Sequence, residues 1–191
     1  MELQKLGVKF FVEQPNAVPL TDFIEIFHGW IQATDGIYHD VADYSHMQSG
    51  PGVILVANDT NLHIDETGGR RGLLYSRKAP LSGTNQEKLR TVFRLALENC
   101  RKLEEEPALR GKLHFTTNEA AISLNDRLLG SNTEESFQEL KREVGPFAKQ
   151  LFGDAEVRFE RDEDPRQRLN VHLKTSAAVD LRKTLDRLQL N

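Results

Sequence analysis

The chain predicts an α+β protein with a mainly antiparallel sheet and helices packed on one of its faces. Three observations lead there. Strand-like runs come in consecutive groups, turn clusters separate them, and four helical stretches each carry one apolar stripe. The predicted order is βα-ββββ-α-ββ-α-ββ-α. At 191 residues and 21.7 kDa the chain suits a single domain, 1–191. Glu104-Glu105-Glu106-Pro107 reads as a polar helix end, with a hinge between sub-halves 1–106 and 107–191 as the alternative.

Leu6–Glu13 is strand-like, dense in valine and phenylalanine, and Pro15–Pro19 ends it. From Thr21, a plausible N-cap, Phe23, Phe27, Trp30 and Ile31 recur at helical spacing, and Gly36 closes that element. Four short runs follow, Ile37–His46, Val53–Ala57, Asn61–Glu66 and Leu73–Lys78, with turn clusters between them. They describe an antiparallel meander, and Val53–Ala57, apolar on both faces, belongs inside the sheet. Asn85–Glu105 is the strongest helix, with Leu89, Val92, Phe93, Ala96, Leu97, Cys100 and Leu103 on one stripe. Leu113–Thr116 and Ala121–Leu124 read as a hairpin around Thr117–Ala120. Ser131-Asn132-Thr133 before Glu134-Glu135 caps the next helix, which Gly145-Pro146 should bend or split. A hairpin of Glu156–Glu160 and Leu169–Lys174, then a helix from Ser176 built on Leu181, Leu185 and Leu188, complete the chain. Segment 112–190 thus reads as hairpin-then-helix twice, a pattern open to an internal duplication.

The phrases VADYSHMQSGPGVILV (41–56), DETGGRRGLLYSRK (65–78) and AISLNDRLLGSNTEESF (121–137) resemble a group of uncharacterised conserved bacterial proteins of about this length. The resemblance implies that the whole chain is one natural unit. It implies no activity, cofactor or site.

Catalytic signatures are missing from the sequence. There is no Walker A loop, no Gly-x-Ser-x-Gly elbow and no His-Glu-x-x-His. Cys100, the single cysteine, excludes an internal disulfide and falls on an apolar stripe, where a thiol is structural. Trp30 with Phe27 reads as core, and His114 and His172 sit singly in strands. Segment 39–46, HDVADYSH, is the one dense cluster of acid–base side chains. On an extended strand His39 and Asp43 point one way and Asp40, Tyr44 and His46 the other. His39 and His46 then lie ~23 Å apart, too far for one metal ion, so no metal and no cofactor is expected. Thr67-Gly68-Gly69-Arg70-Arg71-Gly72 offers either an anion nest with forked arginine donors or a turn whose arginines pair with Asp65 or Glu66. Asn125-Asp126-Arg127 poses the same choice.

Charge is unevenly spread. No lysine or arginine occurs between Lys9 and Arg70, a window holding nine acids and four of the six histidines. Residues 1–80 carry six basic and ten acidic side chains, which accounts for the net charge of −4; the remainder carries nineteen of each. The first functional expectation is therefore a non-enzymatic interaction or assembly module, contacting a protein partner or a second copy through an acidic, histidine-containing surface with Asp40, Asp43 and Asp65 at its centre. The alternative is an enzyme or sensor for a small anionic metabolite, with Arg70, Arg71 and Arg77 holding the anion and His39, Asp43, His46 or His63 as general acid or base. Nucleic acid is not expected as a partner, because the basic residues are balanced and aromatic content is 7 %. With no leader pattern at Met1–Gly7 and no membrane-length apolar window, the expected location is the cytoplasm.

Overall fold

A computed structural model describes residues 1–125, 130–164, 166–176 and 180–189. Its elements are β1 (Leu6–Val12), α1 (Asp22–Ala33), β2 (Tyr38–Tyr44), β3 (Gly52–Ala57), β4 (Thr60–Asp65), β5 (Gly72–Arg77) and α2 (Asn85–Glu105). There follow β6 (Phe115–Leu124), α3 (Glu134–Phe152), β7 (Val157–Arg161), β8 (Asn170–Thr175) and α4 (Leu181–Gln189). All eight strands join one antiparallel sheet in the order β2-β3-β4-β5-β1-β6-β8-β7. The α+β class and the antiparallel meander are as the sequence predicts. No helix of the described residues is long and apolar enough to cross a membrane.

Strand alternation sorts the side chains into two faces. Leu55, Leu62, Tyr75, Val8, Ile122 and Val171 lie opposite one another in a row through β3, β4, β5, β1, β6 and β8, all buried in the core under the helices. The adjacent row, Ile54, His63, Leu74, Lys9, Ala121 and His172, points to the other face. Helix α2 is the central packing element, touching β1, β5, α3 and α4. Its stripe from Leu89 to Leu103 is fully buried, and Thr84 closes a capping box with Glu87 at its start. Phe93 meets Phe10 of β1 edge-on at 5.9 Å and Phe147 of α3 at 4.8 Å.

Two local expectations are corrected. Residues 113–124 form no hairpin: Thr117–Ala120 continue one ten-residue strand, β6, with Thr117 and Ala120 buried. A stretch without glycine or proline gains more from pairing than from turning, because β6 has β1 on one side and β8 on the other. The hairpin-helix repeat over 112–190 goes with it. Instead, strand–helix–meander–helix occurs once as β1-α1-β2-to-β5-α2 and again, shortened, as β6-α3-β7-β8-α4, the two first strands pairing at the centre of the sheet. Of the two outcomes predicted at Gly145-Pro146, a bend or a split, the split does not occur: α3 runs through Pro146 with Val144, Phe147 and Ala148 all buried. Thr133 caps α3 as expected, accepting a hydrogen bond from Ser136 N–H. Residues 177–179, within the predicted start of the last helix, lie outside the described residues.

Candidate interaction surface

Strand β2 is an outer edge of the sheet, bonded only to β3. A register shift between Tyr38 and Asp40 marks a bulge at His39. Beyond it, the pairing puts Asp40, Ala42 and Tyr44 on one face and Val41 and Asp43 on the other. Asp40 and Tyr44 therefore share a face, as the strand alternation predicts, while His46 lies past the end of the strand. His39, Asp40, Asp43 and His46 are all exposed. Both carboxylates cap backbone: Asp40 Oδ1 accepts Val41 N–H at 2.8 Å, and Asp43 Oδ1 accepts Ser45 N–H at 2.8 Å. Hydrogen bonds from the Ser45 hydroxyl and N–H hold the Asp43 carboxyl below its usual range.

Seven of the nine acids in the lysine- and arginine-free window are exposed, Glu13, Asp22, Glu25, Asp35, Asp40, Asp43 and Asp59. Among the described residues, Asp22, Glu25, Asp35, Asp40 and Asp43 make no ion pair with lysine or arginine, whereas Asp59 has Arg77 4.0 Å away. Apolar exposure collects in the same place. Among the described residues the exposed large hydrophobic side chains are Tyr44 (39 % exposed), the last residue of β2, and Ile37 (57 %) and Met47 (46 %), which flank the strand.

Asp65 is the correction. Expected on the exposed acidic surface, it is buried, 4 % accessible, and its carboxylate meets the ammonium of Lys9 at 2.5 Å. Thr67 supports it through its hydroxyl (2.7 Å) and N–H (3.3 Å). Gly72 of the intervening β5 lets the lysine stem cross: a Cβ there would meet Phe10 O and Lys9 Cε. Burial pulls the Lys9 ammonium below its ordinary range, and the Asp65 charge works against that shift.

The arginines of the turn find partners within the chain. Arg71 binds Glu66 through Nε at 2.5 Å and donates to the Val18 carbonyl. Arg70 reaches across to Glu119 of β6, a bidentate pair at 2.6 and 2.8 Å, and lies over the Phe11 ring at 3.9 Å. Arg77 donates to the Ala79 carbonyl and faces Asp59. Two of the turn's amides are engaged as well, Gly69 N–H by Glu66 O and Thr67 N–H by Asp65. Of the other arginine stretch, Asn125 bonds Ser76 and Arg168, while Asp126 and Arg127 lie outside the described residues.

On the helix-free face the fold assembles a cluster that no local sequence pattern announces. Phe11 is stacked by Arg70 and, at 6.0 Å, by the His172 ring. Glu119 gathers Arg70, His172 (3.6 Å) and Lys174 (3.9 Å). Burial raises the Glu119 carboxyl, but the Arg70 hydrogen bonds and the surrounding positive charges outweigh it and hold the group below its usual range. The sequence places His172 on a strand but Glu119 in a turn; only the continuous β6 and the sheet order make them neighbours.

His63 sits on the same face, between Ile54 and Leu74. Its Nδ1 is buried with no hydrogen-bond partner, and burial lowers its pKa from 6.5 to about 4. That group resists protonation in the folded state, so its contribution to stability is complete above pH 6.5 and is lost as the pH falls toward 4, about 3 kcal/mol in all. Denaturation of the wild type and of His63→Gln between pH 7.5 and 4 should show the wild type losing its advantage across that interval. Parallel stability curves would remove this role for His63.

Two open hollows, about 460 and 310 Å³, lie where the end of α2, the start of β6 and the start of α4 meet. Glu104, His114 and Asp180 line both. Burial holds the Glu104 carboxyl above its usual range, and it accepts Phe115 N–H at 2.8 Å. None of the acid–base or arginine residues predicted from sequence reaches these hollows. Among the described residues no group of three or more His, Cys, Asp or Glu is placed to hold a metal ion. No protein-family model matches the chain, and no curated protein matches it.

Proposed function

We propose that this chain is a non-enzymatic interaction module that contacts a basic protein partner through its acidic end, formed by α1 and β2. The observation that carries the reading is the coincidence at β2 of exposed large apolar side chains with exposed carboxylates, Asp40 and Asp43, that make no ion pair with lysine or arginine among the described residues. Apolar side chains supply binding energy and the unbalanced carboxylates choose the sign of the partner. The metabolite reading is weaker on the same geometry. Arg70, Arg71 and Arg77 are spent on carboxylates and carbonyls within the chain, and His39 stands on the edge strand β2, with β3 and β4 between it and β5. The reading includes a cytoplasmic location, supported by a single cysteine that can form no internal disulfide.

A photo-crosslinking residue at Tyr44 should yield a discrete adduct in the native cell, weakened by raised salt and by the Asp40→Asn/Asp43→Asn pair. The same label at Gln150 on α3 should yield none. Equal labelling at both positions, or an adduct indifferent to both carboxylates, would overturn the reading.

A further inference from the structure

We infer that the free edge of β2 is a strand-addition site, taking an extended, basic-apolar segment of another protein as a ninth strand. This rests on the proposed acidic interaction surface and specifies how that surface recognises its partner.

The sheet has two free edges, and they differ. At β7, Glu160 is paired with Lys174 at 2.8 Å and Arg161 with Glu134 at 3.3 Å, so its polar side chains are tied back to the fold. Such charged, short edges discourage pairing with another chain. At β2 the strand is longer, seven residues against five; it ends on exposed Tyr44, and exposed Ile37 and Met47 lie just outside it. The backbone is turned outward to match. The Lys78 N–H to Asp59 O bond, carried through the β5–β4–β3–β2 register, turns the Val41 and Asp43 N–H groups away from β3; the Asp40 carboxylate takes the Val41 one, while the Val41 side chain packs against the core.

The Asp40 carboxylate is the guard on this edge. It is exposed and closes the Val41 donor with its own oxygen, which keeps the edge from templating other strands indiscriminately. A lysine or arginine opposite it draws the carboxylate into an ion pair and frees the donor for a partner carbonyl. Charge thereby selects the occupant: a cationic strand opens the edge, and a neutral one leaves it capped. A second copy is a poor occupant, because two β2 strands would line up Asp40 and Asp43 from both chains with no lysine or arginine on either strand. The apolar flanks add the side-chain pockets that backbone pairing alone lacks.

The probe is a peptide of about seven residues alternating lysine with valine, isoleucine or tyrosine, followed by fluorescence anisotropy against the full chain. The unmodified peptide should bind, with protection of the Val41 and Asp43 amides from hydrogen exchange. The same peptide N-methylated at every backbone amide keeps its charge and should bind at least tenfold more weakly. Val41→Pro, which removes an outward donor, should weaken binding as much; the N-methylated peptide gives the same information with the protein untouched if that variant does not fold. Equal binding of both peptides overturns strand addition while leaving the acidic surface as a docking site. No binding of the unmodified peptide overturns it as well, and the Tyr44 crosslink then decides separately whether the surface reading survives. A concentration-dependent dimer abolished by Val41→Pro would make a second copy the occupant and overturn the commitment to a basic partner.

Discussion

Replacing Phe93 with alanine is expected to cost about 3–5 kcal/mol and to lower the melting temperature by roughly 6–20 °C. The ring is fully buried in the middle of α2, in contact with Phe10 from the sheet and Phe147 from α3. Its removal empties a space at the junction of three elements, and rigid β1 cannot move to fill it. The loss is a large share of the ~5–15 kcal/mol that holds a domain together. Thermal and urea denaturation should agree on it. Phe93→Leu, which keeps most of the volume, should cost clearly less; an alanine variant with an unmoved melting temperature would show that α2 does not carry the core.

The second large effect lies at Lys9 and Asp65. Both are nearly inaccessible (7 % and 4 %) and their charges meet at 2.5 Å. Asp65→Asn keeps the shape and removes the counter-charge, leaving an ammonium buried beside Phe11. Breaking a buried pair on one side costs about 3–5 kcal/mol, whereas replacing both partners with apolar groups is close to neutral. Lys9→Met/Asp65→Leu should therefore recover most of the stability that Asp65→Asn loses, as read by urea denaturation at pH 7. If the single substitution is harmless, water already satisfies the lysine and the pair is not a structural tie. The result also bears on the interaction surface. Asp65 variants should act through the fold, while Asp40 and Asp43 variants should leave the fold intact and act on partner contact.

This separation explains why charge counting along the chain overestimated the acidic surface. The window from residue 10 to 69 looks uncompensated because its nearest counter-charges are distant in sequence. Lys9 serves Asp65 from 56 residues away, across β5, and Arg71 serves Glu66 from just beyond the window. What remains unpaired among the described residues are the carboxylates of the outer part, Asp22, Glu25, Asp35, Asp40 and Asp43; the lysine that does arrive there, Lys102 of α2, lies over the Trp30 ring and 5.9 Å from that of Tyr38 instead of pairing with one of them. Arg70, the expected anion ligand, is drawn instead to Glu119, 49 residues on, because β1 brings β5 and β6 to either side of itself.

The sequence by itself determined the elements whose signals are local. The 3.6-residue stripe and the run from Asn85 to Glu105 specify α2, and the glycine-rich turns specify where the meander reverses, because both depend on residues within a few positions of one another. The acidic, histidine-bearing character of residues 37–47 was equally legible. Tertiary structure decided the rest. Thr117–Ala120 became strand because partners stood on both sides of β6, an advantage no local pattern reports. Sheet order placed Arg70, Phe11, Glu119 and His172 together on one face. The same order left β2 at an edge with its apolar flanks uncovered. The physical reason is common to all three: turning and coiling are fixed by neighbours along the chain, whereas charge pairing, burial and edge position depend on which distant strand comes to lie 4.8 Å away.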